Sequence, residues 1–302
     1  MKNKLSILLI SILFFSSCGN QENKKKINMD NLLQTDTTIS VEKNKIRIAV
    51  SAMISPKETF GYYEEILKYI GTKIGQEIEL VQRNTYGEVN QLLENQEIDF
   101  AFVCSGPYVV GKEKFDMQLL VAPVVNSKSV YYSYVIVHKD ADYKNLEDLE
   151  QTNFAFTDPK SNTGCLVPTY ELSKINQTPE TFFNTVIYTH SHDNSIEMVA
   201  RKKIDAATVD HLIWEYLNAT KPEFTSQTRI IQKFGPFGIP PIVFHPDTDE
   251  KLMTQVKEVL LNMHNTEDGK KNLEKIMIEK FTVVNDEHYK SVRQMQDWLN
   301  NQ

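Results

Sequence analysis

Short apolar strands alternate with amphipathic helices along this sequence in two separate runs. Between the runs lies an extended segment that neither Gly nor Pro interrupts. Such alternation restricts the fold to layered α/β domains with mainly parallel sheets. The first run opens with Ile46-Arg47-Ile48-Ala49-Val50, a strand by alternation and β-branching. Ser55 and Pro56 mark a loop. Residues 60–74 then have helical spacing, with Ile66, Leu67, Ile70 and Ile74 on one face. A strand at 78–82, a helix at 88–94 and a strand at 99–104 follow. After the extended segment 131–138, the second run has strands at 154–156, 186–188 and 206–209, and helices at 165–174 and 195–202. Pro236, Gly238, Pro240 and Pro241 break the chain before 242–244, and the tail carries amphipathic helices at 251–263, 269–280 and 287–299. No internal repeat is visible in the residues themselves. Two similar units joined by two crossings, at 131–138 and 235–244, predict an α/β protein of two lobes with a cleft. The first lobe is expected over 45–138 and 235–302, the second over 139–234. Ligands of such sheets bind beyond the carboxyl ends of the strands. Four loops fall there: 53–56, 104–108, 157–164 and 189–194.

The 302 residues suit one large domain or two smaller ones. A formal charge of −7 argues against a general nucleic-acid binder, which would carry a basic face. It does not exclude a small anionic ligand, which is held by local donors. Lys2 and Lys4 precede an apolar run over 5–15, too short for a membrane span but of signal-peptide length. Phe15-Ser16-Ser17-Cys18 resembles a bacterial lipobox, with Phe15 where Leu is usual. That resemblance implies a lipoprotein signal peptide over 1–17 and lipidation of Cys18; plain secretion with an incidental Cys is the alternative. Loss of the leader leaves 31 basic against 40 acidic residues, a charge of −9. Residues 19–44 are polar, with Lys24-Lys25-Lys26, and read as a flexible tether behind Cys18. Cys104 and Cys165 can pair in an exported chain. Without a disulfide-dense framework, two buried thiols are the favoured reading.

The stretch richest in chemistry is Thr157-Asp158-Pro159-Lys160-Ser161-Asn162-Thr163-Gly164-Cys165-Leu166-Val167-Pro168. It follows a strand and opens a helix. Ser161 and Thr163 offer hydroxyl donors, and the first-turn N–H groups have no partner inside the helix. With the helix dipole they make an anion site. On these residues alone, a simple N-cap by Ser161 or Asn162 explains the segment equally well.

The same stretch resembles the pattern D-P-x-S-x-[ST]-G-x-L-V-P of periplasmic phosphonate and phosphite binding proteins. Further matches fall in order: Arg83-Asn84-Thr85-Tyr86, Asp99 through Tyr108, Tyr131 through Val137, Ser191-His192-Asp193-Asn194-Ser195, Asp205 through Asp210, and Gly238-Ile239-Pro240-Pro241. Together they cover nearly all of 46–300. The resemblance implies a bilobal type II periplasmic-binding-protein fold joined by two crossing strands. It implies capture of a small phosphorus oxyanion (phosphite, a phosphonate or phosphate) outside the cytoplasm, and delivery to an ABC permease and ATPase. Together with the lipobox-like segment at Cys18, it implies a lipid-anchored monomer that needs no cofactor, metal or nucleic acid and is not an enzyme. The ligand-binding residues carried over are Tyr86, Ser105, Tyr131, Ser161, Asn162, Thr163, Gly164, His192 and Asp210. Asn162 stands where the family often has Ser or Thr. Asp210 accepts hydrogen bonds and donates only when protonated, so it would recognise a ligand O–H and reject a fully deprotonated oxyanion. Without the resemblance, His192 reads as a surface-loop histidine beside Asp193, and Asp210 as an N-cap ahead of Leu212 and Ile213.

Two other functions compete. His190, His192, Asp193, Asp210 and His211 suggest a metal-dependent enzyme, but His190 and His192 are two apart on a loop, not at the i, i+4 spacing of a zinc protease. Neither a G-x-S-x-G elbow nor a Walker loop occurs. A sensory module could use the same lobes to signal to a membrane partner, and a sulfonate would present a similar oxyanion.

Overall fold

The computed structural model describes residues 45–302, so the leader, Cys18 and the tether lie outside the described residues. The chain runs β1 (Ile46–Val50), α1 (Pro56–Ile74), β2 (Ile78–Gln82), α2 (Tyr86–Glu94), β3 (Phe100–Phe102), α3 (Ser105–Phe115) and β4 (Gln118–Val124). It continues with β5 (Val130–His138), β6 (Asn153–Phe156), α4 (Val167–Ser173), α5 (Pro179–Phe182), β7 (Thr185–Tyr188), α6 (His192–Ala200), β8 (Ala206–Asp210), α7 (His211–Thr220) and β9 (Thr228–Gly238). It ends with β10 (Ile242–Phe244), α8 (Glu250–Asn262), α9 (Glu267–Lys275), β11 (Lys280–Thr282) and α10 (Lys290–Asn300). Among the described residues, no helix is long and apolar enough to cross a membrane.

These strands form two sheets, ordered β11-β4-β10-β3-β1-β2 and β7-β6-β8-β5-β9. β1 pairs in parallel with β2 and β3, and β6 with β7 and β8, as the βα alternation requires. β10 enters the first sheet antiparallel between β3 and β4, and β5 enters the second antiparallel between β8 and β9. From the pattern of residues alone, the first lobe closes at His138 and returns at Gly235. Both segments instead hydrogen-bond in the second sheet: β5 pairs along its length with β8 and β9, and β9 continues to Gly238. A strand with partners on both sides is a sheet member, and its uninterrupted apolar run follows from burial on both faces.

Local sequence explains the elements. In β1, Ile46, Ile48 and Val50 bury on one face of the sheet and Ala49 on the other. In β6, Phe154 and Phe156 face one core and Ala155 the opposite one. Pro56 opens α1, and Gly75, at φ 75°, ends it with its N–H on the Gly71 carbonyl at 2.8 Å. Thr85 and Glu88 form a reciprocal capping box at the start of α2. α10 joins the lobes: its Trp298 indole N–H donates to Ser173 Oγ on α4 at 3.0 Å, while Val292 and Met295 pack in a core of the first lobe.

Candidate binding site

Every candidate ligand residue except Tyr131 sits at the start of a helix or helical turn. Tyr86 is the first residue of α2, Ser105 of α3 and His192 of α6. Ser161 caps the wide turn Asn162–Leu166 that leads into α4, and Asp210 caps α7. The parallel strands set this arrangement, because each helix begins where a strand ends. Free N–H groups and the positive dipole ends therefore gather at the junction of the lobes. The lobes are shut across it. Tyr86 N donates to Asp158 Oδ2 at 3.1 Å, His192 N to the Met53 carbonyl at 3.1 Å, and Ser55 N to Asp193 Oδ1 at 2.9 Å. Gly106 lets α3 approach the 157–164 loop: a Cβ there would lie 2.5 Å from the Lys160 carbonyl oxygen.

His192 is buried, and its hydrogen bonds fix its tautomer. The Asp210 backbone N–H, which can only donate, points at Nδ1 from 3.1 Å, and Thr157 Oγ1 lies 3.0 Å from the same nitrogen. Nδ1 is therefore the acceptor and Nε2 carries the proton. Burial lowers the pKa of this ring to about 3, so it is a neutral donor. Its Nε2, the Tyr86 hydroxyl and the Thr163 hydroxyl are all buried and unpartnered within the chain. Burial also drives the Tyr86 and Tyr131 phenols well above their ordinary pKa, keeping both protonated.

Other candidates are already engaged. Ser105 Oγ donates to the Gly238 carbonyl at 2.5 Å, so its proton does not face a ligand here. The Gly164 N–H, read from the sequence as a free donor, donates to Ser161 Oγ at 3.0 Å. Gly164 itself is required, since a Cβ would come within 2.5 Å of Thr157 Oγ1. Asn162 Nδ2 donates to the Tyr131 hydroxyl at 2.9 Å, while its Oδ1 is unpartnered. Asp210 is an N-cap, accepting from Leu212 N at 2.7 Å, and burial raises its pKa to about 7. A carboxyl at that value takes or gives a proton near neutrality.

The structure also places residues that the sequence left open. His192 begins α6 in the interior; His190 is the exposed loop residue, at φ 67°. Cys104 and Cys165 are free thiols. Among the described residues, no group of three or more His, Cys, Asp or Glu is placed to hold a metal ion. Three residues outside the candidate ligand set also face the site region. Thr157 holds the His192 ring. Ser51, at the end of β1, and Ser191, the N-cap of α6, carry buried hydroxyls without partners. The signal available was position alone: each follows a strand on the ligand side.

Two lobes of this strand order, joined by crossing strands and closed over a cleft, define a type II periplasmic binding protein. Among solved structures, the binding-protein component of an ABC phosphonate transporter from Pseudomonas aeruginosa superposes with a TM-score of 0.80 at 23% identity, covering 84% of this chain and 86% of that one. PhnD1 from Prochlorococcus marinus, solved with methylphosphonate, gives 0.76 at 17% identity, covering 84% and 98%. The family model for the periplasmic substrate-binding protein of phosphonate ABC transporters matches residues 48–289, and the chain belongs to that family. The phosphonates-binding periplasmic protein of Escherichia coli is 25% identical over 229 residues, 74% of this chain and 67% of its relative. The protein is thus an extracytoplasmic substrate-binding component, not an enzyme, with a small-molecule ligand and an ABC permease and ATPase as partners.

Proposed function

We propose that the protein captures a small phosphorus oxyanion (phosphite, a phosphonate or phosphate) in the closed cleft, for import. The observation that carries this reading is the set of buried, unpartnered atoms at the helix starts: Tyr86 Oη, Thr163 Oγ1 and His192 Nε2. Buried polar groups are nearly always paired, and a tetrahedral oxyanion brings several acceptor oxygens to such donors at once. Neutral His192 and the phenols donate without bringing charge of their own, so the helix dipoles carry the electrostatic attraction. Asp210 sets selectivity, because its carboxylate accepts a ligand P–O–H and repels an oxygen without a proton. Tyr131, Asn162, Ser161, Gly164 and Ser105 hold the donors in place. Residues 1–17 act as the leader, Cys18 carries the lipid, and the polar residues to 44 tether the lobes to the membrane.

Titration calorimetry with phosphite, methylphosphonate, phosphate, sulfate and a sulfonate tests the ligand, with a chelator present. Phosphite and methylphosphonate are expected to bind and sulfate to fail; no heat with any phosphorus oxyanion overturns the reading. Cys18→Ala is expected to move the protein out of the membrane fraction, and retention of lipid label by that variant would refute the anchor.

A further inference from the structure

Although the lobes shut tightly at the helix starts, they leave a cavity of about 530 Å³ between them. Tyr63, Phe102 and Phe281 line it from the first lobe, Leu212 and Ile213 from α7, and Pro240 from the return of the chain. The Tyr63 ring meets Phe102 edge-on, with centroids 5.0 Å apart. Met53 and Asp210 belong to both places. Each lines the cavity, yet the Met53 carbonyl accepts the His192 N–H and the Asp210 N–H holds the His192 ring. The cavity therefore reaches two residues that hold His192, while Tyr86, Thr163 and His192 themselves do not line it.

Its size falls in the range of small-molecule sites, about 300–1,000 Å³. A P–H or P–CH₃ group fills little of it. One polar cluster lies on its wall: Lys233 Nζ donates to the Tyr134 hydroxyl at 3.2 Å, and that hydroxyl donates to Glu215 Oε1 at 3.0 Å. The Lys233 ammonium also lies 4.4 Å from the Tyr134 ring centroid. Lys233 and Glu215 thus meet through the Tyr134 hydroxyl, and elsewhere the wall is largely apolar. A phosphonate has three oxygens for the donors and a fourth, carbon substituent that needs a non-polar wall.

We propose that this cavity holds the organic substituent of the bound phosphonate, and that the preferred ligand carries a bulky, uncharged and largely apolar group of about phenyl size. The inference rests on the oxyanion reading above, and one experiment separates the two. Calorimetry compares methylphosphonate with phenylphosphonate on the parent protein and on Ile213→Trp and Met277→Trp, two cavity-lining positions outside the oxyanion donors. Burying a phenyl ring is expected to tighten binding of the parent by about tenfold or more over methylphosphonate. Each Trp variant is expected to lose that advantage while its methylphosphonate affinity stays within about twofold, which also shows that it is folded. If methylphosphonate binds and phenylphosphonate binds no tighter, the cavity assignment falls and the oxyanion reading stands. If the advantage survives in both variants, the substituent lies elsewhere and the assignment falls. If neither ligand binds, the cavity assignment falls, and the oxyanion reading falls with it only if phosphite and phosphate also give no heat.

Discussion

The two lobes share one strand order. Each sheet reads second, first, third, inserted, fourth strand: β2-β1-β3-β10-β4 in the first lobe, with β11 added at the edge, and β7-β6-β8-β5-β9 in the second. In both, the inserted strand is antiparallel and comes from the chain that passes between lobes. The helix starts differ in chemistry. In the first lobe, α2 is capped by Thr85 and Glu88, which stay outside the site while Tyr86 beside them enters it, and the Ser105 proton goes to Gly238. In the second lobe, the caps Ser161 and Asp210 are themselves site residues, and His192 opens α6. A common topology aims helix starts at the same cleft; the side chain at the cap or first position decides whether that start supports the fold or meets the ligand.

If the second lobe builds the cradle and the first closes it, substitutions in the two should fail differently. Gly164→Val should have the largest effect, because its Cβ would meet Thr157 Oγ1 at 2.5 Å and Thr157 Cβ at 2.7 Å inside the second lobe. Binding should weaken more than about 100-fold and stability should drop by about 2–3 kcal/mol, read by calorimetry and urea unfolding. Gly106→Ala places its Cβ against the Lys160 carbonyl of the other lobe, a clash that opening relieves. Affinity should fall about 10–100-fold with the melting temperature of the free protein unchanged; unchanged affinity would break the assignment of closure to this contact.

Asp210→Asn should change selectivity, admitting sulfate, whereas Ser161→Ala should weaken all oxyanions alike by about 1.5–3 kcal/mol. Equal weakening of every ligand by both variants would reduce Asp210 to a cap. The same residue gives a stability signature. Burial raises its pKa from 3.8 to about 7, so the folded state holds the proton more tightly than the unfolded one. Stability from this group is therefore full at acid pH and declines as pH rises between these two values. Asp210→Asn should then be more stable than the parent by about 1–3 kcal/mol near pH 8, with the gain gone near pH 4. His192 acts oppositely: its pKa is lowered from 6.5 to about 3, so stability falls as pH drops below 6.5. The difference between parent and Asn variant, measured by urea unfolding, isolates Asp210. Smallest of all, Thr85→Ala should cost about 1 kcal/mol of stability and change affinity little, because its side chain bonds only within α2.

Where a segment has one exposed face or strict alternation, its sequence was readable. β1 and β2 fall on 46–50 and 78–82 as the pattern predicts, and the tail helices differ only at their ends. α3 was invisible because Ser105-Gly106-Pro107 reads as a turn and its residues bury on several sides, leaving no amphipathic stripe. Pro is tolerated there because it sits in the first turn, where its missing N–H has no helical partner. α7 was hidden behind Asp210, which the sequence offered only as a possible cap. The identities of the site residues came from motif order, but their state did not. That Ser105 and Gly164 donate inward while Ser51 and Ser191 lack partners depends on distances between segments far apart in the chain. The neutral Nε2–H form of His192 likewise follows only from where the Asp210 backbone lies.

The position of β10 has a consequence for the order in which the molecule can be assembled. As the chain leaves the ribosome, β1, β2 and β3 emerge first, yet β3 does not pair with β4; its open side is filled only by β10, from beyond the whole second lobe. β5 to β9, by contrast, are one continuous stretch, and Val130 lies opposite Gly238 where that stretch begins and ends. The lobe synthesised later can therefore complete its sheet earlier, while the first keeps an unpaired strand edge until Ile242–Phe244 arrives. Such an edge is a template for wrong pairing with other chains, so nascent protein truncated after β9 is the form most exposed to aggregation.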